Sequence, residues 1–149
     1  MDVNTTHQNI TCPECGAPVL NGLSCWEQLG VILAWEWQDP ALLAVHFLTV
    51  ASYNLQHPAQ FTDEALAGLR AAFIEHLDQR TAVVELRRRV SAVAEGKTRV
   101  RKPEADRRPV LRQWPLTVAD VYLSDQPQGA ADRVRAWAAA ICQRMKDEG

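Results

Sequence analysis

The residues of this chain that are best suited to chemistry are cysteines and histidines. Cys12 and Cys15 form a Cys-x2-Cys pair followed by Gly16, and Cys25 comes ten positions after Cys15. Two thiolates on a tight turn can bind one ion, and a glycine beside them allows the positive φ that such turns often need. Three soft thiolates with one imidazole favour zinc in a tetrahedral Cys3His site. The candidate ligands are Cys12, Cys15, Cys25, His46, His57 and His76.

Helix geometry predicts which histidine completes the site. The Asp39-Pro40 corner predicts two antiparallel helices, and Cys25 lies 14 residues before this corner, about 21 Å along the first helix. The matching level on the second helix is near Tyr53, one turn below His57, whereas His46 lies about 10 Å lower. We therefore predict a metal site of Cys12, Cys15, Cys25 and His57, with His46 and Tyr53 as cleft residues or alternative ligands.

The predicted donor set favours a structural role for the metal. A closed Cys3His site has no open coordination position, so zinc would add folding energy and join an N-terminal knuckle to two helices. The first hypothesis is an uncharacterised zinc-binding module for binding or scaffolding. The alternative is a metal-dependent enzyme whose cleft is formed by His46, Tyr53 and His57, which are spaced for one helix face. A redox pair at Cys12 and Cys15 is a further interpretation of the knuckle.

The hydrophobic pattern predicts the helices that would position these residues. Residues 40–56 contain no Asp, Glu, Lys or Arg, which indicates a central helix buried on nearly all sides. No strand-like alternation of useful length occurs, and the five tryptophans are assigned mostly to the core. We predict one all-α domain over 1–149, a four- to five-helix bundle with an N-terminal zinc knuckle at 11–25. Caps and apolar stripes place the helices at about 24–38, 40–57, 62–79, 81–95, 117–124 and 130–147.

Charge is unevenly distributed along the chain. The net charge is −2, but residues 87–112 hold ten basic and three acidic side chains, a net +7, so the remainder carries −9. This segment includes a predicted basic loop at 96–113, whose arginines offer nucleic-acid binding as another alternative function. The competing interpretation is a solvated loop that faces an acidic bundle or a dimer mate. The partner is thus unknown, with a protein partner or a homodimer favoured over nucleic acid.

The sequence shows neither the pattern of a signal peptide nor that of a membrane-spanning helix. The first ten residues lack the apolar core of a signal peptide, and the apolar run at 40–56 contains His, Asn and Gln and precedes Pro58. We therefore expect a cytoplasmic protein with no membrane partner, in which paired cysteines are more often metal ligands than disulfides.

The segment from Cys12 to Pro58 resembles an uncharacterised bacterial family, a domain of unknown function. The resemblance rests on CPECG and on CWEQLGVILAWEWQDPALLAVHFLTVASYNLQHP, which fit the pattern CPxCG, CW, DP and VHxLTVxxYxxQHP. That pattern implies roles for Cys12, Cys15, Cys25, His46, Tyr53 and His57 but no activity. A weaker likeness is to DinB-type four-helix bundles, which can bind a metal through three histidines. This chain departs from them because most of its candidate ligands are cysteines.

Overall fold

The computed structural model describes residues 10–94 and 100–148. These ranges are mostly helical, contain no strand beyond isolated bridges, and include short 3-10 turns at Glu36–Gln38, Pro58–Gln60 and Glu104–Asp106. The predicted helical class is confirmed for the described ranges. Their α-helices are α1 Cys25–Trp35, α2 Pro40–Ala44, α3 His46–Leu55, α4 Asp63–Gln79, α5 Val83–Ala94, α6 Val118–Tyr122 and α7 Ala130–Glu148.

The predicted capping residues set the starts of two helices. Ser24 precedes α1 and forms a capping box with Glu27: the Ser24 hydroxyl accepts from the Glu27 N–H, and the Glu27 carboxylate accepts from the Ser24 N–H. Thr62 caps α4 by accepting a hydrogen bond from the Ala65 N–H. Such caps satisfy N–H groups that lack partners in the helix. The box at Ser24 therefore places Cys25 in the first turn of α1.

The single helix predicted for 40–57 is wrong, because the chain breaks at Val45. Val45 leaves the helical region (φ −107, ψ 21), and its N–H bonds to the Leu42 carbonyl. Leu42 and Val45 are both buried at this point, and Leu43 is exposed between them. The residues around the break are uncharged, so the hydrophobic pattern contains no sign of it. His46 consequently begins α3 rather than lying within a longer helix.

The helix at the centre of the core is α7 rather than the uncharged stretch. It packs against α2, α3, α4 and α6. Trp137 on α7 is fully buried, and its indole N–H donates to Gln56 at 3.2 Å. The apolar spacing of α7 matches helical periodicity, which supplies a buried face along its length. Other fully buried side chains around it are Ile32, Leu42, Phe73 and Ile141.

The expectation that the tryptophans lie mostly in the core is confirmed for three of the five, because Trp137 is fully buried and Trp35 and Trp114 are partly buried against the core. Trp26 is 67% exposed and Trp37 is 90% exposed. On α1, Cys25 and Leu29 are buried, and Trp26 follows Cys25 by one position, about 100° around the helix. Position on the helix, rather than apolar character, therefore decides which of these rings is buried.

The first residues of the second described range, 100–113, lie across the knuckle. Residues 100–113, here called the strap, are the whole described part of the predicted basic loop, and residues 96–99 lie outside the described ranges. Apart from an isolated bridge between Arg101 and Phe61 and the 3-10 turn at Glu104–Asp106, the strap has no regular secondary structure. Within the described residues, no helix has both the length and the apolar content that crossing a membrane requires.

Candidate metal centre

Four side chains from three parts of the fold converge near the N-terminus. They are Cys12, Cys15, Cys25 and His57, whose donor atoms all lie within 4.8 Å of one another. The Nε2 atom of His57 is 3.6 Å from the Cys12 sulfur and 3.5 Å from the Cys25 sulfur. Three of the four residues are buried, and Cys12 is half-buried. This group could hold a metal ion.

The knuckle supplies the first two sulfurs through local backbone structure. The Gly16 N–H donates to the Cys12 carbonyl at 3.0 Å, and Gly16 has a φ of +79, which favours glycine. The N–H groups of Glu14 and Cys15 point at the Cys12 sulfur, both at 3.4 Å. The Ala17 N–H donates to the Cys15 sulfur at 3.4 Å. Backbone donors of this kind stabilise negative charge on the two sulfurs.

The orientation of His57 is set by a backbone carbonyl. Its Nδ1 atom lies 2.6 Å from the Tyr53 carbonyl oxygen, which can only accept, so Nδ1 carries the proton. In the neutral ring, Nε2 then has a free lone pair directed at the sulfurs. Metal-binding histidines usually donate their other N–H in this way. His57 reaches this position because it lies past the end of α3, immediately before Pro58.

Aromatic rings enclose one side of the group. The Tyr53 ring stacks on the His57 ring with centroids 3.9 Å apart, and the Trp26 ring lies 5.8 Å from the Tyr53 ring. The Tyr53 hydroxyl is 3.5 Å from the Cys25 sulfur. Burial raises the pKa of Tyr53, so its hydroxyl stays protonated and donates to that sulfur. The rings thereby limit the access of water to Cys25 and His57.

Hydrogen bonds within the group place negative charge on Cys25. A hydrogen bond from the Cys15 thiol lowers the pKa of Cys25 to about 3, against the effect of burial and with help from His57 and Tyr53. The same hydrogen bond, together with burial, raises the pKa of Cys15. Burial lowers the pKa of His57, but its hydrogen bond to Cys25 and the Tyr53 carbonyl outweigh burial and raise that pKa to about 9. The protons of this group are thus shared between sulfur and nitrogen atoms, and a cation could replace those protons by binding to the same atoms.

Two buried polar side chains that the sequence analysis missed connect the knuckle to the helices. The Glu14 carboxylate accepts from the Ala59 N–H at 2.7 Å and is only 8% exposed. The Gln28 amide donates to the carbonyls of Pro18 and Leu23, each at 2.9 Å. Both pairings depend on the folded chain, because the sequence does not show which backbone group will donate to Glu14 or accept from Gln28.

Replacing Glu14 with alanine is expected to destabilise the protein without removing a candidate ligand. The change would leave the Ala59 N–H without its acceptor, at a cost of about 1–3 kcal/mol. Thermal unfolding should show this loss. A Glu27→Ala control removes a carboxylate that also accepts a backbone N–H, and it should cost less, because that N–H is exposed and the Ser24 hydroxyl still caps α1. Equal metal content in both variants would confirm that Glu14 holds the knuckle in place rather than binding the ion.

The other candidate residues lie elsewhere. His46 begins α3 and pairs with Glu36, whose carboxylate oxygens are both 2.9 Å from Nδ1. Seven residues separate His46 from Tyr53, roughly 10 Å along the helix, so the structure does not bring His46 into the cysteine group. The Nδ1 atom of His76 contacts the Thr81 carbonyl at 2.8 Å. Cys142 is buried on α7, outside the group.

Comparison with known proteins gives a match to a protein family. A family model described as "Family of unknown function (DUF5946)" matches residues 10–146. No curated protein and no solved structure match the chain. The predicted resemblance to a domain-of-unknown-function family is confirmed, while the weaker likeness to DinB-type bundles stays a prediction.

Proposed function

The chain belongs to DUF5946, a family of unknown function, and we propose that it is a structural zinc protein that serves as a binding or scaffolding module. In this proposal Cys12, Cys15, Cys25 and His57 hold one Zn²⁺ and clamp a knuckle onto a single-domain helical bundle. The observation that carries the proposal is the convergence of these four donor atoms within 4.8 Å.

The distances support zinc as the ion. Zinc binds sulfur at about 2.3 Å and imidazole nitrogen at about 2.0–2.1 Å in tetrahedral sites. Those bond lengths place a sulfur and a nitrogen ligand about 3.6 Å apart across a tetrahedral angle. The two sulfur–nitrogen distances to His57 are 3.5 and 3.6 Å. Three thiolates and an imidazole also form a donor set that zinc prefers over harder ions.

The surroundings of the sulfurs support a structural role. A Cys3His site fills all four positions of a tetrahedral ion and leaves none for water or substrate. The Cys12 and Cys15 sulfurs accept backbone N–H groups, and Cys25 accepts the Tyr53 hydroxyl. Such hydrogen bonds reduce the nucleophilicity of thiolates. The ion would then stabilise the fold by joining residues 12–15 to α1 and to the end of α3.

Metal analysis and X-ray absorption test this proposal directly. The protein would be purified without a polyhistidine tag, its metal content measured, and absorption recorded at the zinc edge. We expect one zinc per chain with three sulfur ligands and one nitrogen ligand. Fewer sulfurs or an oxygen ligand would indicate an open, reactive ion, and the absence of bound metal would refute the proposal.

A second candidate function is proton transfer by the pair of Glu36 and His46. The Glu36 carboxylate is 8% exposed, whereas His46 is 44% exposed. Nε2 of His46 has no hydrogen-bond partner among the described residues. A buried carboxylate that orients a solvent-facing imidazole is the arrangement used for general-base catalysis. This observation favours a site separate from the cysteine group over the single cleft predicted from His46, Tyr53 and His57.

Replacing His46 with alanine separates the two candidate functions. If the pair transfers protons, the wild-type protein should hydrolyse p-nitrophenyl acetate faster than an equal concentration of free imidazole, and His46→Ala should reduce this rate about 100-fold. Glu36→Gln should lower the rate less, because the imidazole remains. Zinc content should be unchanged in both variants. A wild-type rate no higher than that of imidazole would exclude this activity.

A further inference from the structure

The strap is attached at both ends to elements that the cysteine group joins. At one end, the Thr62 N–H donates to the Val100 carbonyl and the Lys102 N–H donates to the Gln60 carbonyl, both at 2.9 Å. These bonds lie immediately after His57 and the turn at Pro58–Gln60. At the other end, the Arg112 N–H donates to the Glu14 carbonyl at 3.1 Å, between Cys12 and Cys15. A metal bound by the cysteine group would therefore fix the distance between the two points at which the strap is attached.

The strap carries positive charge that the described residues do not neutralise. Its five basic and two acidic side chains give a net charge of +3. Among the residues that the structure describes, Arg112 is the one strap cation in an ion pair, with Glu148. Arg107 and Arg108 donate to backbone carbonyls within the strap. Arg101 lies over the Phe61 ring, 6.0 Å from its centroid.

Aliphatic side chains are exposed among these charges. Val100 is 52% exposed, Val110 is 68% exposed and Leu111 is 51% exposed. Leu111 lies against the knuckle, within 3.4 Å of the position that a Cβ on Gly16 would occupy. Exposed aliphatic groups next to unpaired cations are typical of a surface that binds a protein segment containing both acidic and apolar residues.

The backbone of the strap is also free to pair. Arg107 has extended dihedral angles (φ −81, ψ 127), residues 108–113 belong to no helix or strand, and in the described ranges the only backbone hydrogen bond made by residues 108–113 is that of the Arg112 N–H. An extended peptide can bind such an edge by main-chain hydrogen bonds while its side chains provide specificity. Pro109 has no N–H, which limits pairing with further copies of the same edge.

We propose that the strap is a docking surface for an extended acidic peptide segment of a partner protein, with apolar residues alternating among its carboxylates. This inference rests on the proposed binding module and names the chemistry of its partner. The carboxylates would pair with Arg101, Lys102, Arg107 and Arg108, and the apolar residues would cover Val110 and Leu111. The metal centre would act by holding the two attachment points of the strap in place.

Nucleic acid fits this surface less well. Single strands bind basic grooves through aromatic rings on which bases stack, but the aromatic rings nearest the strap are occupied. Phe61 is 9% exposed, and the guanidinium groups of Arg112 and Arg144 lie over the Trp114 ring, 4.9 and 4.8 Å from its centroid. In α5, Arg88 and Arg89 are paired with Glu85, and Arg89 is paired also with Glu75. The predicted basic segment 87–112 therefore offers fewer free cations than its sequence indicates.

Peptide binding by fluorescence anisotropy tests the proposal. The probes are a labelled peptide of three Asp-Leu-Glu-Val repeats, an all-aspartate peptide of equal length, and a duplex DNA of about 20 base pairs. We expect the alternating peptide to bind more tightly than the other two. The double substitution Arg107→Glu/Arg108→Glu should weaken binding of the alternating peptide about tenfold or more. Val110→Ser should weaken binding of the peptide but not binding of the DNA.

The matched control is Arg70→Glu/Arg87→Glu, which makes the same charge change on exposed side chains of α4 and α5. It should leave peptide binding unchanged. The proposal is overturned if no peptide binds at concentrations up to about 1 mM, or if DNA binds more tightly than the alternating peptide and is insensitive to Val110→Ser. Zinc content is measured on the same samples. A zinc-free protein that still bound the peptide would refute the structural zinc and leave the docking surface standing.

Discussion

Replacing Cys25 with serine should abolish stoichiometric zinc binding and cause a large loss of stability. Cys25 is the buried proposed ligand on α1, and its sulfur lies 3.5 Å from Nε2 of His57. An ion present at about 1,000 times its dissociation constant stabilises the native state by about 4 kcal/mol. For a chain of this length, that loss corresponds to a fall in melting temperature of roughly 10 °C or more. Metal analysis and thermal unfolding measure the two effects.

Cys142→Ser provides the matched control for this prediction. Cys142 is also buried, at 6% exposure, but it lies on α7 outside the cysteine group. We expect this variant to keep one zinc per chain. Chelation should lower the melting temperature of the wild type and of Cys142→Ser, but should not lower that of Cys25→Ser further. Retention of a full zinc complement by Cys25→Ser would contradict the assignment of this sulfur as a ligand.

Replacing Trp137 with alanine is the second change with a large expected effect. Trp137 is fully buried on α7, where its N–H donates to the side chain of Gln56. Removing a buried tryptophan ring costs about 3–5 kcal/mol through lost contacts and the cavity that remains. The change would also leave the Gln56 carbonyl oxygen without this donor, one position before His57. Chemical denaturation should show a lower midpoint for unfolding.

Trp37→Ala is the control, because it deletes the same side chain at a position that is 90% exposed. Its effect on the free energy of unfolding should be within about 0.5 kcal/mol. Trp137→Phe would keep most of the apolar volume and lose the N–H, so its effect should be intermediate. Equal losses for Trp37→Ala and Trp137→Ala would contradict the placement of α7 at the centre of the core.

Interactions between residues close in the chain were accessible from the sequence. The Ser24–Glu27 capping box and the Thr62 cap each span three residues, and the knuckle spans Cys12 to Gly16. Their geometry depends on side-chain type and local backbone conformation, which a short pattern specifies. The rise per residue of a helix also favoured His57 over His46 as the neighbour of Cys25, although that count assumed an unbroken helix over 40–57. The role of these residues as zinc ligands stays a prediction.

The features that the sequence analysis missed depend on residues distant in the chain. The Glu14 carboxylate finds its donor 45 positions away, at Ala59, and the strap reaches the knuckle over a still longer separation. The break at Val45 falls in a run of uncharged residues that gives no sign of it. A hydrophobic pattern shows how apolar a segment is, but it does not specify which neighbouring element covers each side chain. Packing between elements that are distant in the chain decides this, and it buries Trp137 while leaving Trp26 and Trp37 exposed.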